Sequence, residues 1–148
     1  MIFNKTGKYI RRSYPVKNGT IETTNSYKYL GLIFTPSGEI TSCLRDLRDR
    51  ALRAYNKLKQ KMGHHFRLHP MTTISLFESL IKPILLYSSD FWGCLKMPNN
   101  NPIENMYMKF CKTLLEVQKQ TPNIGVLLEL GAVPIMFFGV KNCFKELG

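Results

Sequence analysis

Carboxylates are scarce in this sequence: its 148 residues hold 10 Asp and Glu against 21 Lys and Arg, a formal charge of +11. The three aspartates stand at 46, 49 and 90, and no acid adjoins another. Two-metal phosphoryl chemistry needs carboxylates converging on ions about 4 Å apart. Asp46 and Asp49 lie roughly on one helix face but sit among arginines, which makes them members of a salt-bridged surface rather than metal ligands. Long apolar runs are missing too. The longest, Val133 to Val140, is interrupted by Pro134 and Gly139 and falls far below the roughly 18 residues that span a bilayer.

Other chemistry is excluded in the same way. There is no Gly-rich phosphate loop, no GxSxG and no Cys–His dyad at a recognisable spacing, so nothing nominates a nucleophile, a catalytic residue or a cofactor site. His64, His65 and His69 are close in sequence, but no carboxylate or thiolate lies within several positions and Pro70 limits helical geometry. They read as polar residues at a helix end and loop, and no metal is expected. Cys43, Cys94, Cys111 and Cys143 form no CxxC pair and stand beside Leu44, Leu95, Phe110 and Phe144. They read as small buried hydrophobes in a reducing compartment. No charged start leads into an apolar stretch and a cleavage site, so the chain does not read as secreted, and the sequons at Asn4 and Asn18 are not expected to carry glycan.

What is present is unevenly placed. Residues 1–67 carry 14 basic and 4 acidic side chains (+10), whereas residues 68–148 carry 7 and 6 (+1). The length is that of about one domain, and an apolar content of 44% is that of a chain with a core. Tyr14, Val16, Ile21 and Thr23 flank Asn18-Gly19, a type I′ turn signal that predicts a hairpin over 13–24. Tyr27 to Phe34 reads as a strand, closed by the turn Thr35-Pro36-Ser37-Gly38.

There the period changes from 2 to 3.6. Ile40, Leu44, Leu47, Ala51, Ala54, Leu58 and Met62 form one helical stripe ending near Gly63, with Arg45, Arg48, Arg50, Arg53, Lys57, Lys59 and Lys61 on the other faces. Asp46 with Arg50 and Asp49 with Arg53 are spaced to pair at i,i+4. Pro70 opens a second helical segment, which Pro83 should kink or end before the aromatic stretch Tyr87 to Trp92. After a loop at 98–102, Asn101 and Pro102 start a third helix, carried by Ile103, Met106, Tyr107, Phe110, Leu114 and Leu115. Thr121 and Pro122 start a fourth that stops at Gly131, and Ile135 to Phe144 reads as a last helix. The fold class is therefore α+β, with strands and turns over 1–36 and helices over 37–148. A basic, tyrosine-bearing first half suits nucleic acid, because cations neutralise phosphates and tyrosines stack on bases, but it equally suits a solvated helix face over core tyrosines.

Five stretches carry a resemblance: Met1 to Lys8 (MIFNKTGK), Tyr27 to Phe34 (YKYLGLIF), Lys82 to Gly93 (KPILLYSSDFWG), Lys109 to Lys112 (KFCK) and Glu129 to Gly131 (ELG). In this order the chain resembles, over essentially its whole length, the C-terminal part of the reverse transcriptase of animal non-LTR (LINE-type) retrotransposons. The resemblance implies that Ile2 to Asn4 ends a palm strand and that residues 27–31 form the primer-grip hairpin, with Lys28, Tyr29, Leu30 and Gly31 at the nucleic acid. It implies that the helices from Ile40 onward form the thumb, with Arg45, Arg48 and Lys59 on phosphates. In the family the catalytic aspartates lie in motifs upstream of the first residue here, and no residue of this chain can replace them. The shortened loop at 98–102, and Ser88-Ser89 where Gly-Ser is usual, depart from the family pattern, as in a diverged copy whose Met1 is an internal methionine of a longer frame.

The expectation is thus a fragment without polymerase activity that retains at most binding to an RNA or DNA primer–template. It is not expected to enter a membrane, it is expected to self-associate through the surface a palm would cover, and the ancestry that the resemblance implies favours nucleus or cytoplasm over the secretory pathway. Two alternatives stand beside it: a domesticated basic adaptor binding nucleic acid or a protein, and a remnant with no selected role.

Overall fold

The period-two stretches near the start of the chain form strands, in shorter pieces than the sequence suggests. A computed structural model describes residues 1–4, 6–63 and 70–146. It contains two antiparallel hairpins, β1 (Ser13–Val16) with β2 (Gly19–Glu22) and β3 (Tyr27–Tyr29) with β4 (Leu32–Phe34), followed by helices. The fold is α+β in this broad sense. The chain divides into two compact units, Met1–Asp46 and Leu47–Gly148, and the long helix α1 (Thr41–Met62) runs through the division.

In the first unit, β1 pairs with β2 so that Tyr14 faces Ile21 and Val16 faces Gly19. The turn therefore consists of Lys17 and Asn18, not of Asn18 and Gly19, and Gly19 opens β2. Every residue of both strands is exposed, so no buried face enforces a register. What ties the hairpin down is Thr23, which is buried. Its hydroxyl donates to the Ile10 carbonyl (2.8 Å) and accepts from the Arg12 amide (2.9 Å), and its carbonyl accepts the Tyr9 hydroxyl (2.5 Å). Ile2 to Asn4 are not a strand. The Asn4 amide donates to the Pro36 carbonyl (3.0 Å), a single bond rather than a ladder. The turn at 35–38 forms as expected, with the Gly38 amide on the Thr35 carbonyl (2.9 Å).

The stripe of α1 is enclosed at its start, where Ile40, Cys43, Leu44, Leu47 and Ala51 are buried, and half-buried later, at Ala54, Leu58 and Met62. Gly63, at φ +51, ends it as expected. Asp49 takes the guanidinium of its neighbour Arg48 (Nη2 2.6 Å, Nε 2.9 Å) instead of Arg53 one turn on.

In the second unit, α2 (Pro70–Leu76) opens a helical run that passes through Pro83 but ends at Leu85, before Tyr87 as expected. It widens into a π-helical stretch, Phe77–Ile81, and continues as α3 (Lys82–Leu85). Proline lacks an N–H and crowds the preceding turn, and the wider π turn just before it absorbs that conflict. The short α4 (Ser89–Trp92) follows. The remaining helices are α5 (Pro102–Leu114), α6 (Asn123–Glu129) and α7 (Ile135–Glu146).

Asn101 caps α5 as read, its Oδ1 accepting the Ile103 amide at 2.9 Å. Thr121 caps nothing, since α6 starts after Pro122 with no side-chain cap. At its other end Gly131 (φ +58) completes a Schellman closure, with the Ala132 amide on Leu127 O (2.8 Å) and the Gly131 amide on Leu128 O (3.1 Å). The core centres on Phe77 stacked on Phe110 (centroids 3.8 Å apart), with Tyr55 edge-on to both, and it is the edge-on contacts that ring quadrupoles favour.

The cysteine reading needs correction: Cys94 is exposed and disulfide-bonded to Cys143 (Cα–Cα 6.0 Å), while Cys43 and Cys111 are free and buried. Periodicity gives no signal for a pairing between positions 49 apart. No helix among the described residues is long and apolar enough to cross a membrane.

Candidate nucleic-acid interface

The stretch 27–34 has the alternation of a strand but is cut in two by Leu30 (φ +46) and Gly31 (φ +82), the two central residues of a type I′-like turn. Gly31 meets that requirement without strain. Leu30 is a bulky residue in the left-handed region, and it is 72% exposed at the hairpin tip.

Side chains alternate across a strand, and β3 uses this to separate two functions. Tyr27 and Tyr29 stand on one face, both more than half exposed, their rings stacked 6.5 Å apart at 20°. Lys28 points the other way, its Nζ 3.9 Å from Asp46 Oδ2 on the second turn of α1. The structure thus brings Lys28, Tyr29, Leu30 and Gly31 together on one hairpin, but Lys28 is turned from the tyrosine face toward a carboxylate. Tyr27, which the sequence reading left out of the site, completes the aromatic pair, and its i,i+2 spacing from Tyr29 was the available signal.

Arg45, one residue before Asp46, is exposed. In the second unit Arg48 is half-buried and held by Asp49, whereas Lys59 is exposed. Their separation of eleven residues puts them within about 20° of each other around the helix and about 16 Å apart along it. Lys59 presents its charge to solvent, and Arg48 a partly neutralised one.

The groups with displaced titration lie in the core. Burial pushes the Tyr107 hydroxyl upward and the Cys111 thiol up to about 11, with the hydrogen bond between them pulling the thiol back part of the way. Both are held in their neutral forms one helical turn apart, which suits packing and not nucleophilic chemistry. Burial also raises Tyr55. Among the described residues no group of three or more His, Cys, Asp or Glu could hold a metal ion; His64, His65 and His69 lie outside the described residues. No family model, curated protein or solved structure matches the chain.

Proposed function

We propose that the chain is a nucleic-acid-binding piece of a non-LTR retrotransposon reverse transcriptase, its primer-grip hairpin and thumb, which holds a primer–template without extending it. One observation carries the reading: the tight hairpin over 27–34, with a stacked, exposed Tyr27–Tyr29 pair and a left-handed Leu30-Gly31 tip, is tied by Lys28 to the start of a cationic helix. Exposed aromatic rings supply sequence-tolerant stacking, worth about 1–3 kcal/mol per base. Lysines and arginines such as Arg45 and Lys59 supply phosphate neutralisation, and no paired aspartates exist for nucleotide transfer.

The test combines two assays on the full chain: binding of an RNA–DNA primer–template at 50 mM salt, and primer extension with magnesium or manganese. Binding without incorporation is expected. Incorporation by the purified chain, or no binding at that salt, would contradict the reading.

A second reading has a specific observation in its favour. On α7, Phe137, Val140 and Phe144 recur at helical spacing and are all exposed, an apolar stripe of the kind that mediates association. A basic adaptor that binds a protein or a second copy through this stripe would leave nucleic-acid binding optional. Concentration-dependent sedimentation that responds to Phe137→Ser and Phe144→Ser would favour it.

A further inference from the structure

Residues 68–148 are nearly neutral in sum, yet the structure does not distribute their charges evenly. Two glutamates are engaged elsewhere: the exposed Glu78 pairs with Lys82 (3.1 Å), and the half-buried Glu104 accepts the Met136 amide (3.2 Å) at the start of α7. On the side of α5 away from the buried Met106 and Phe110, Lys109 and Lys112 face a concavity of about 730 Å³, completed by Lys119 from the connection to α6 and by Asn123, the first residue of α6. Glu116 is the single carboxylate in its lining.

The concavity is built by a folded connection. Lys112 Nζ donates to the Lys119 carbonyl (2.8 Å) and draws the returning chain across the end of the helix. Glu116 turns the backbone there at φ +55, and the Val117 amide closes on the Lys112 carbonyl (3.1 Å). The volume falls within the range of small-ligand sites, roughly 300–1,000 Å³. Its lining contains no aromatic ring and no arginine, so nothing in it stacks on a base or forks onto a planar carboxylate. Three ammonium groups against one carboxylate recognise point charges, and lysine is a phosphate binder of that kind.

We propose that this concavity binds a chain of phosphates, held by Lys109, Lys112 and Lys119 with the Asn123 amide as a neutral donor. The site does not depend on the primer-grip reading, because it involves neither the hairpin nor α1. The phosphate chain belongs either to a free polyphosphate or to the backbone of a nucleic-acid strand.

The test is calorimetric titration of the full chain with inorganic triphosphate at 50 mM salt, with circular dichroism to verify that each variant is folded. Triphosphate is expected to bind. The double variant Lys109→Gln/Lys119→Gln is expected to lower affinity at least about tenfold, while Lys96→Gln/Lys141→Gln, the same loss of charge elsewhere in the unit, leaves it unchanged. Displacement of triphosphate by a short oligothymidylate supports a site for strand backbone, and triphosphate binding without displacement supports a site for free polyphosphate. No binding of triphosphate, or equal losses in the two double variants, overturns the proposal.

Discussion

Trp92 has no solvent exposure, and Gly139 of α7 lies so close to it that a Cβ there would come within 3.0 Å of Cζ3 and 3.2 Å of Cη2. The indole is fixed at its other end, where Nε1 donates to the Tyr87 carbonyl at 2.8 Å. Beside it, a Cβ on Gly93 would run into the Gly139 carbonyl oxygen, and the Asn142 amide donates to the buried Ser89 hydroxyl at 2.8 Å. These contacts make α4 and α7 a single packed element, and the absence of side chains at two glycines is what permits it.

Gly139→Ala should therefore destabilise the second unit. The indole, held by its hydrogen bond, would have to give by a few tenths of an ångström, and overpacking of this kind costs about 1–3 kcal/mol, against about 1 kcal/mol gained by alanine over glycine inside a helix. The expected observation is a lower urea midpoint with an unchanged slope.

Ser88→Gly should act in the opposite direction. Ser88 precedes α4 in the left-handed region (φ +52, ψ +33) and its side chain makes no capping bond, a conformation that costs a non-glycine residue about 1 kcal/mol. The offsetting entropy of glycine in the unfolded chain trims the gain, so an increase of about 0.5 kcal/mol is expected in chemical denaturation.

Reduction of Cys94–Cys143 should cost stability through the loop it closes. By chain-entropy reasoning a bridge between residues 49 apart is worth about 4 kcal/mol. Cys94→Ser/Cys143→Ser should match the reduced wild type in its denaturation midpoint and become insensitive to dithiothreitol.

The sequence made the helices legible wherever an apolar stripe coincided with a stop or start signal. Ile40 to Met62 before Gly63, and Asn101-Pro102 before Ile103, form as read, because the core and the cap impose the same boundary. Pro83 was legible as a conflict but not in its resolution, since a π turn leaves no periodic trace in so short a stretch. The turn of the first hairpin was misread because no buried face corrects a weak local signal. On β3 the residues of the candidate interface were visible as types, whereas their division between two faces required knowing that 27–34 folds back on itself at Leu30-Gly31. The lysine concavity was hidden by a sum of charges that cancels over the half-chain but not in space.

Glu104 supplies a pH dependence. Burial raises its carboxyl above the usual value of 4.5, with bonds from the Met136 and Ile135 amides pulling it back part of the way. The folded chain then holds this proton more tightly than the unfolded chain. The stability it contributes is fully present below the ordinary glutamate range and is lost as pH rises through the raised value. Denaturation midpoints measured upward from about pH 4 should show this downward step, superposed on other titrations, and Glu104→Gln should remove it.

The hairpin claim is tested most directly by fluorescence anisotropy of a labelled RNA–DNA primer–template, titrated with the wild type and with Tyr27→Ala/Tyr29→Ala at several salt concentrations. Both residues are exposed, so the fold should survive their truncation. The expected result is a linear fall of log affinity with log salt, with the same slope for both proteins, and an affinity for the variant lower by about 1–3 kcal/mol per lost stacking contact. Equal affinities for the two proteins, or an affinity that does not respond to salt, would contradict a hairpin that grips nucleic acid.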